Sequence, residues 1–442
     1  MTTLDPNRPL RPRDVFTTWW PLAASWLLMG LELPAVSAFV ARLAEPRIHL
    51  AAYGGVVFPL ALLIESPIIM LLSASTALAR DSDSYRLIRR FMFMVAGSLT
   101  ALHALIAFTP LFDLIVVRLM GVPEDIREPA RLGLRIMLPW TLAIAYRRTQ
   151  QGVLIRFGHS RAVGVGTAIR LAAIVIVLAT GLAIGHLPGV AVATMAVATG
   201  VVSEAIYAGV RVRPVLREQV AAVSAPAAPL TMRRFMAFYL PLSVTPLVLF
   251  LAMPMTTATM SRMVQPLDSL ATWPVINGLV FALRSTGFAL NEVMVALLDR
   301  PGAVAALRRF TIALASSVSA LLVLLAATPL GGLWFGRVSA LPPDLVRLAG
   351  TGLWIALLMP ALSTLQSYYQ GALVHGHRTR AVTESVLVYL AFTVVSLWAG
   401  AAWLRVPGLL VGLGAFVIAS AAMVAWLRIR ARTTLRELEA AA

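Results

Sequence analysis

The sequence predicts an all-α transmembrane protein of about twelve helices, arranged as two parallel six-helix repeats around a central cleft. Composition is the first observation behind this. Of the 442 residues, 59% are apolar and only 13% charged, with a mean hydropathy of +0.83. A soluble chain is about half apolar and about a quarter charged, so a chain this apolar needs lipid as its solvent. The second observation is the length of the apolar runs, roughly 20 to 28 residues, without strict alternation. Backbone polar groups in hydrocarbon must be satisfied internally, and runs of this kind do so as helices rather than as a barrel. The third is an internal repeat that pairs the two halves of the chain.

The elements follow in order. Residues 1–14 are polar and form a cytoplasmic N-terminal segment. The first apolar run lacks an A-x-A site and reads as a retained helix, not a cleaved signal peptide. The expected helices are 15–41, 51–79, 91–117, 131–155, 162–185 and 189–210, which make an N-terminal bundle over 15–210. A Pro- and Ala-rich cytoplasmic linker covers 211–232. The second bundle, 233–427, contains 233–260, 270–298, 310–336, 346–374, 381–402 and 407–427, and 428–442 is a cytoplasmic tail.

Charge sets the orientation. The chain has no lysine, so all 37 basic residues are arginine, and its net charge is +17. Arginines concentrate at alternate loops: Arg8, Arg11 and Arg13, then Arg80 to Arg90, Arg147 to Arg161, Arg211 to Arg234, Arg300 to Arg309, Arg378 and Arg380, and Arg428 to Arg436. Arginine-rich loops stay in the cytoplasm, so both termini are expected there and the protein in the inner membrane. The basic excess is thereby explained without a nucleic acid partner; membrane lipids are the expected surroundings. With no cysteine there is no disulfide, thiolate nucleophile or cysteine metal site, and with no lysine no Walker lysine. No catalytic motif is visible, so the chain is not expected to be an enzyme, and no cofactor is expected.

The repeat keeps an offset of 220 and then 219 residues. Pro21-Leu22 matches Pro241-Leu242, Pro34 matches Pro254, Arg42 matches Arg262 and Arg80 matches Arg300. After the slip, Arg89-Arg90-Phe91 matches Arg308-Arg309-Phe310, Thr109-Pro110-Leu111 matches Thr328-Pro329-Leu330, Gln151-Gly152 matches Gln370-Gly371, and Pro188-Gly189 matches Pro407-Gly408. Six helices is an even number, so both halves insert in the same sense. The expected symmetry axis runs along the membrane normal, the arrangement of an alternating-access carrier.

Several short stretches carry a family resemblance. They are Trp20-Pro21-Leu22, Leu50-Ala51-Ala52-Tyr53-Gly54, Gln151-Gly152-Val153-Leu154-Ile155 with His159-Ser160, and Met253-Pro254 through Ser261-Arg262. In this order they resemble the progressive ankylosis protein family. That family lies within the multidrug/oligosaccharidyl-lipid/polysaccharide exporter superfamily, with the MATE transporters and lipid II-type flippases. The resemblance implies a MATE-like fold. Animal members are associated with export of pyrophosphate, ATP or citrate-like anions, which implies an anionic small solute. The chain departs from those members in lacking their long charged tail and in a less polar first helix.

Ionisable groups deep in a membrane are functional candidates by default. Glu32 lies near the middle of the first helix, Glu65 at the centre of the second and Arg284 at the centre of the eighth. The repeat maps Ile64 onto Arg284, so Glu65 and Arg284 are expected at one depth, either paired or facing one watery cleft. Asn277, Arg284 and Asn291 are spaced by seven and share a helix face with the substrate-binding character of a cleft lining. A lone carboxylate such as Glu32 suits a coupling role, with a proton or sodium as the coupling ion. Tyr53, Ser66, Ser73 and Ser75 add weaker polarity to the second helix. Arg147, Arg148, Gln150, Gln151, Gln366 and Gln370 read as the cytoplasmic interface. His375-Gly376-His377, without acids beside it, is too weak to make a metal site.

These residues together favour a secondary active exporter of a polar, anionic small solute. The alternatives are a flippase for a lipid-linked saccharide and a cation-coupled multidrug exporter of the same fold.

Overall fold

The computed structural model describes residues 10–223 and 229–440. Arg8, with the start of the N-terminal segment, and the middle of the linker lie outside the described residues. Apart from one isolated bridge between Val264 and Pro407, the regular structure there is helical.

Among the described residues, eleven helices are long and apolar enough to cross a membrane. In the first half they are α1 Pro12–Val40, α2 Pro46–Leu78, α3 Ser82–Phe108, α5 Ser160–Ile184 and α6 Gly189–Val220. In the second they are α7 Met232–Met260, α8 Pro266–Leu297, α9 Ala303–Ala327, α10 Pro343–His375, α11 Arg380–Trp403 and α12 Gly408–Glu439. The fourth expected crossing is α4, Leu138–Arg156, reached through the helix Arg127–Ile136. Its run Arg147-Arg148-Thr149-Gln150-Gln151 sets it apart from the other eleven. The chain is thus a multi-pass membrane protein. Several boundaries differ from expectation: α3, Ser82–Phe108, and α9, Ala303–Ala327, both begin and end ahead of the expected 91–117 and 310–336. Helix α6 runs on to Val220 through much of the expected linker, and α12 continues without a break through the expected tail. Two ion pairs involve the tail: Arg430 Nε lies 3.2 Å from Glu384, and Arg378 Nη2 lies 3.1 Å from Glu437.

Several prolines sit where a helix restarts, whereas Pro241, Pro246 and Pro254 lie inside the unbroken α7. Helix α1 breaks at Leu31, and Pro34 falls in the first turn beyond it. Pro67 lies in the tight 3₁₀ turn Ser66–Ile68 that interrupts α2 just after Glu65. Pro139 and Pro360 each begin a helical segment. The missing N–H of proline costs nothing in a first turn, where that donor has no intrahelical partner.

The repeat is written in the backbone. Left-handed residues occur in register: Glu45 (φ 49°) with Gln265 (φ 51°), Gly121 (φ 66°) with Ala340 (φ 53°), and Gly158 (φ 82°) with His377 (φ 55°). Thr109 and Thr328 end α3 and α9 in the same way, each hydroxyl donating to the carbonyl four residues back and accepting from the N–H two residues on.

Compactness cuts the chain elsewhere than at the boundaries of the linear halves, 15–210 and 233–427. One unit is 39–261 and the other is 1–38 with 262–442, so each holds five helices of one half and the first helix of the other. The physical reason is specific side-chain contact. In the first unit, α7 is fastened to α2: Tyr239 donates to the Pro67 carbonyl, Thr257 donates to the Gly55 carbonyl at 2.6 Å, and Phe235 packs edge-on against Phe91 of α3. In the second unit, α1 lies along α8. Trp19 Nε1 donates to the Thr286 carbonyl at 2.9 Å, Pro34 abuts Gly278, and Trp26 meets Phe288.

Helix α4 approaches α2 so closely that position 152 must be glycine. A Cβ there would stand 2.6 Å from the Leu72 carbonyl oxygen and 2.6 Å from Ser75 Cβ. Gly152→Ala should therefore destabilise the protein by about 1–3 kcal/mol. Gly164→Ala, which would meet nothing within 4 Å, should not. Thermal unfolding of the two purified variants in detergent checks this, and equal melting temperatures would refute the close packing.

Candidate functional site

Each unit carries a polar centre within its helices. In the unit 39–261 the centre is built on Glu204 of α6, which is buried at 1% exposure. Its two oxygens serve three helices. Arg147 Nη1 of α4 donates to Oε2 at 2.5 Å, Gln151 Nε2, one turn further along α4, donates to Oε1 at 2.9 Å, and Arg170 Nε of α5 lies 3.5 Å from Oε2. Gly166 of α5 leaves room for the stem of Glu204, since a Cβ there would stand 3.3 Å from its Cγ. Buried Glu65 of α2 and half-buried Arg148 of α4 complete the group, with Arg148 in electrostatic reach of Glu65, Glu204, Arg147 and Arg170. Three guanidiniums face two carboxylates. Hydrogen bonds hold α4 on its other sides: Tyr85 of α3 donates to Gln150 Oε1 at 3.1 Å, and Ser75 of α2 donates to the Thr149 carbonyl at 2.8 Å.

The unit of 1–38 with 262–442 has a simpler centre. Arg284 of α8 is half-buried, and its Nε donates to Ser363 Oγ of α10 at 2.9 Å. Its guanidinium carbon lies 5.8 Å from the Phe288 ring centre, and the Tyr389 phenol of α11 is within electrostatic reach. Among the described residues of this unit no carboxylate pairs with Arg284. Asn277 and Asn291 stand on the same helix, both half-buried. The Asn291 side-chain oxygen is buried without a hydrogen-bond partner among the described residues. Glu32 belongs to this unit as well. It is half-buried and opens the second segment of α1, directly after the break at Leu31.

The sequence-derived candidates thus divide. Arg284, Asn277, Asn291 and Glu32 share one unit, whereas Glu65 belongs to the other and has its own arginine neighbour, Arg148. Arg147, Arg148 and Gln151, expected at the cytoplasmic interface, gather around Glu204 of α6. Sequence reasoning missed Glu204 and Arg170. The signal was present: each is a solitary charge in the middle of an apolar helix, the same feature that singles out Arg284. His375 is occupied by Asp299, whose Oδ1 lies 3.1 Å from its Nε2.

Neither centre holds an arrangement that suits bond-breaking chemistry. Both can hold an ion or a polar group by charge and hydrogen bonding, because an arginine in hydrocarbon seeks a carboxylate, a carbonyl or a bound anion. Removing Glu204 should be severe, since it would leave two buried guanidiniums without their shared acceptor. Glu204→Gln should cost about 3–5 kcal/mol, and Gln151→Leu distinctly less. Size-exclusion profiles and melting curves of the two variants test this; a Glu204→Gln protein as stable as the parent would show that the cluster does not hold α4, α5 and α6 together.

No protein-family model matches the chain, and no curated protein matches it. Solved structures do. An inward-facing multidrug resistance MATE family transporter of the multidrug/oligosaccharidyl-lipid/polysaccharide superfamily superposes with a TM-score of 0.70 at 14% identity, over 94% of this chain and 99% of that one. The MATE multidrug transporter DinF-BH, solved as a complex, gives 0.67 at 14% identity over 98% and 100%. A transporter of the superfamily from Pyrococcus furiosus, described as having a binding pocket of reverse polarity that suggests a different function, gives 0.58 at 15% identity over 97% of each chain. The chain therefore has the fold of the MATE transporters.

Proposed function

We propose that the protein is a secondary active exporter that moves a polar, anionic small solute across the inner membrane by alternating access. The observation that carries this reading is the state of Arg284. A permanently charged guanidinium within the helices is hydrogen-bonded to a neutral serine, and no carboxylate of its own unit neutralises it among the described residues. Such a group attracts anions and repels cations. The excess of arginine over glutamate around Glu204 in the other unit has the same sign. Both features speak against a cationic cargo, although the fold is shared with multidrug transporters. The Pyrococcus furiosus structure supplies a precedent for a pocket of reversed polarity on this fold. The resemblance to the progressive ankylosis family points to the same solute class.

In this reading Asn277, Arg284 and Asn291 line the path along α8, with Asn291 offering a hydrogen-bonding oxygen. Glu65 supplies a compensating negative charge in the other unit. Glu32 is the coupling residue, placed at the break in α1 where protonation can alter the geometry of the helix. The proposal keeps both termini in the cytoplasm, as the arginine distribution requires.

Uptake and efflux of a panel of organic and inorganic anions in sealed vesicles, with and without a proton gradient, identifies the cargo. Arg284→Gln should abolish transport while the protein remains folded in the membrane. Adding Glu65→Gln to it should not restore transport. A double variant that transports normally would reduce both residues to structural roles. Glu32→Gln should transport without regard to an imposed pH gradient; unchanged gradient dependence would remove Glu32 from the coupling.

A further inference from the structure

Helix α4 carries two adjacent arginines with different surroundings. Arg147 is committed to Glu204. Arg148, one residue on, is turned away by about 100°, the angle between successive residues of an α-helix, so Glu204 cannot serve both equally. Its Nε is buried, and among the described residues Arg148 makes no hydrogen bond and no ion pair. The carboxylates in its electrostatic surroundings are Glu65 and Glu204, and the cations are Arg147 and Arg170. Arg148 is thus left with a buried Nε that no neighbouring acceptor serves among the described residues. It sits eight residues from the end of α4, about 12 Å into the helix at 1.5 Å per residue.

A guanidinium does not lose its proton, and a charge held among packed helices is costly unless something matches it. We propose that Arg148 is the ligand-binding residue of a second anion site, contained within the unit 39–261, that takes one monoanionic group: a carboxylate or a phosphodiester. The stoichiometry follows from the charge. A single guanidinium is matched by a single negative charge. The geometry suits it as well, since the planar guanidinium offers paired donors to two oxygens of one carboxylate or phosphate. The site is preorganised. Glu204 fixes α4 to α5 and α6, the Gln150 and Thr149 contacts fix α4 to α3 and α2, and little ordering is left for the ligand to impose. This site lies in the other unit from Arg284 and does not rest on the transport reading.

The test is equilibrium binding to the purified full chain in detergent, by calorimetric titration with acetate as the minimal carboxylate and dimethyl phosphate as the minimal phosphodiester. At least one of the two should bind the parent protein. Arg148→Gln should weaken that binding at least tenfold, Arg148→Lys should weaken it less, and Gly164→Ala, which meets nothing within 4 Å, should leave it unchanged. Which probe binds distinguishes a carboxylate cargo from the phosphodiester of a lipid or nucleotide. Without added anion, Arg148→Gln should melt no lower than the parent, because it removes an uncovered charge; a structural arginine would give a lower melting temperature. The proposal is overturned if neither probe binds the parent, if Arg148→Gln binds as the parent does, or if it melts markedly lower.

Discussion

Charge inside a membrane has to be met by charge or by a hydrogen-bonding group, and in the unit 39–261 that requirement is met by one carboxylate. Glu204 accepts from Arg147 and Gln151 on α4 and stands beside Arg170 on α5. Helices in lipid have little hydrophobic drive to associate, so polar contacts and small residues decide which helices meet. Here both devices converge. Gly166 lets α5 close on the Glu204 stem, and Gly209 makes room on α6 for the Tyr146 ring of α4. The least apolar crossing of the chain, α4, is held in place through the residues that lower its hydropathy.

The helices were legible in the sequence because each apolar run is long and ends at a proline, a glycine or a group of arginines. The repeat was legible for a related reason: loop arginines and prolines fix register more sharply than apolar residues, which substitute freely for one another. What periodicity could not give was the partner of each helix. An apolar face on α1 looks the same whether it meets helices of its own half or α8, and the decision falls to single contacts such as Trp19 with the Thr286 carbonyl and Pro34 against Gly278. The Glu204 cluster was hidden differently. Arg147 and Arg148 resemble loop arginines because they precede the real loop by only two turns, and the acid that draws Arg147 inward lies 57 residues further on in the chain.

The repeated scaffold carries different chemistry in its two halves. The repeat offset places Tyr389 where the first half has Arg170, Met423 where it has Glu204, and Gln366 where it has Arg147. The close contacts persist: Gly133 against Val57 and Val190 corresponds to Gly352 against Ile276 and Leu409, and Gly181 against Val192 corresponds to Gly400 against Val411. Packing has been kept in both halves while the charges have been kept in one. In the second half a single guanidinium, Arg284, stands on α8 with serine and aromatic neighbours.

The absence of lysine from the sequence sharpens this point. A buried lysine can shed its charge by losing a proton, whereas arginine stays charged throughout the physiological range. Each buried cation of these two centres is therefore permanent, and its charge is relieved only by a carboxylate or by a bound group. In the Glu204 cluster the carboxylates are fewer than the guanidiniums, and Arg284 has a neutral hydrogen-bond partner. The positive sign of these centres is consequently built into the covalent chemistry of the helices and does not depend on the pH of either compartment.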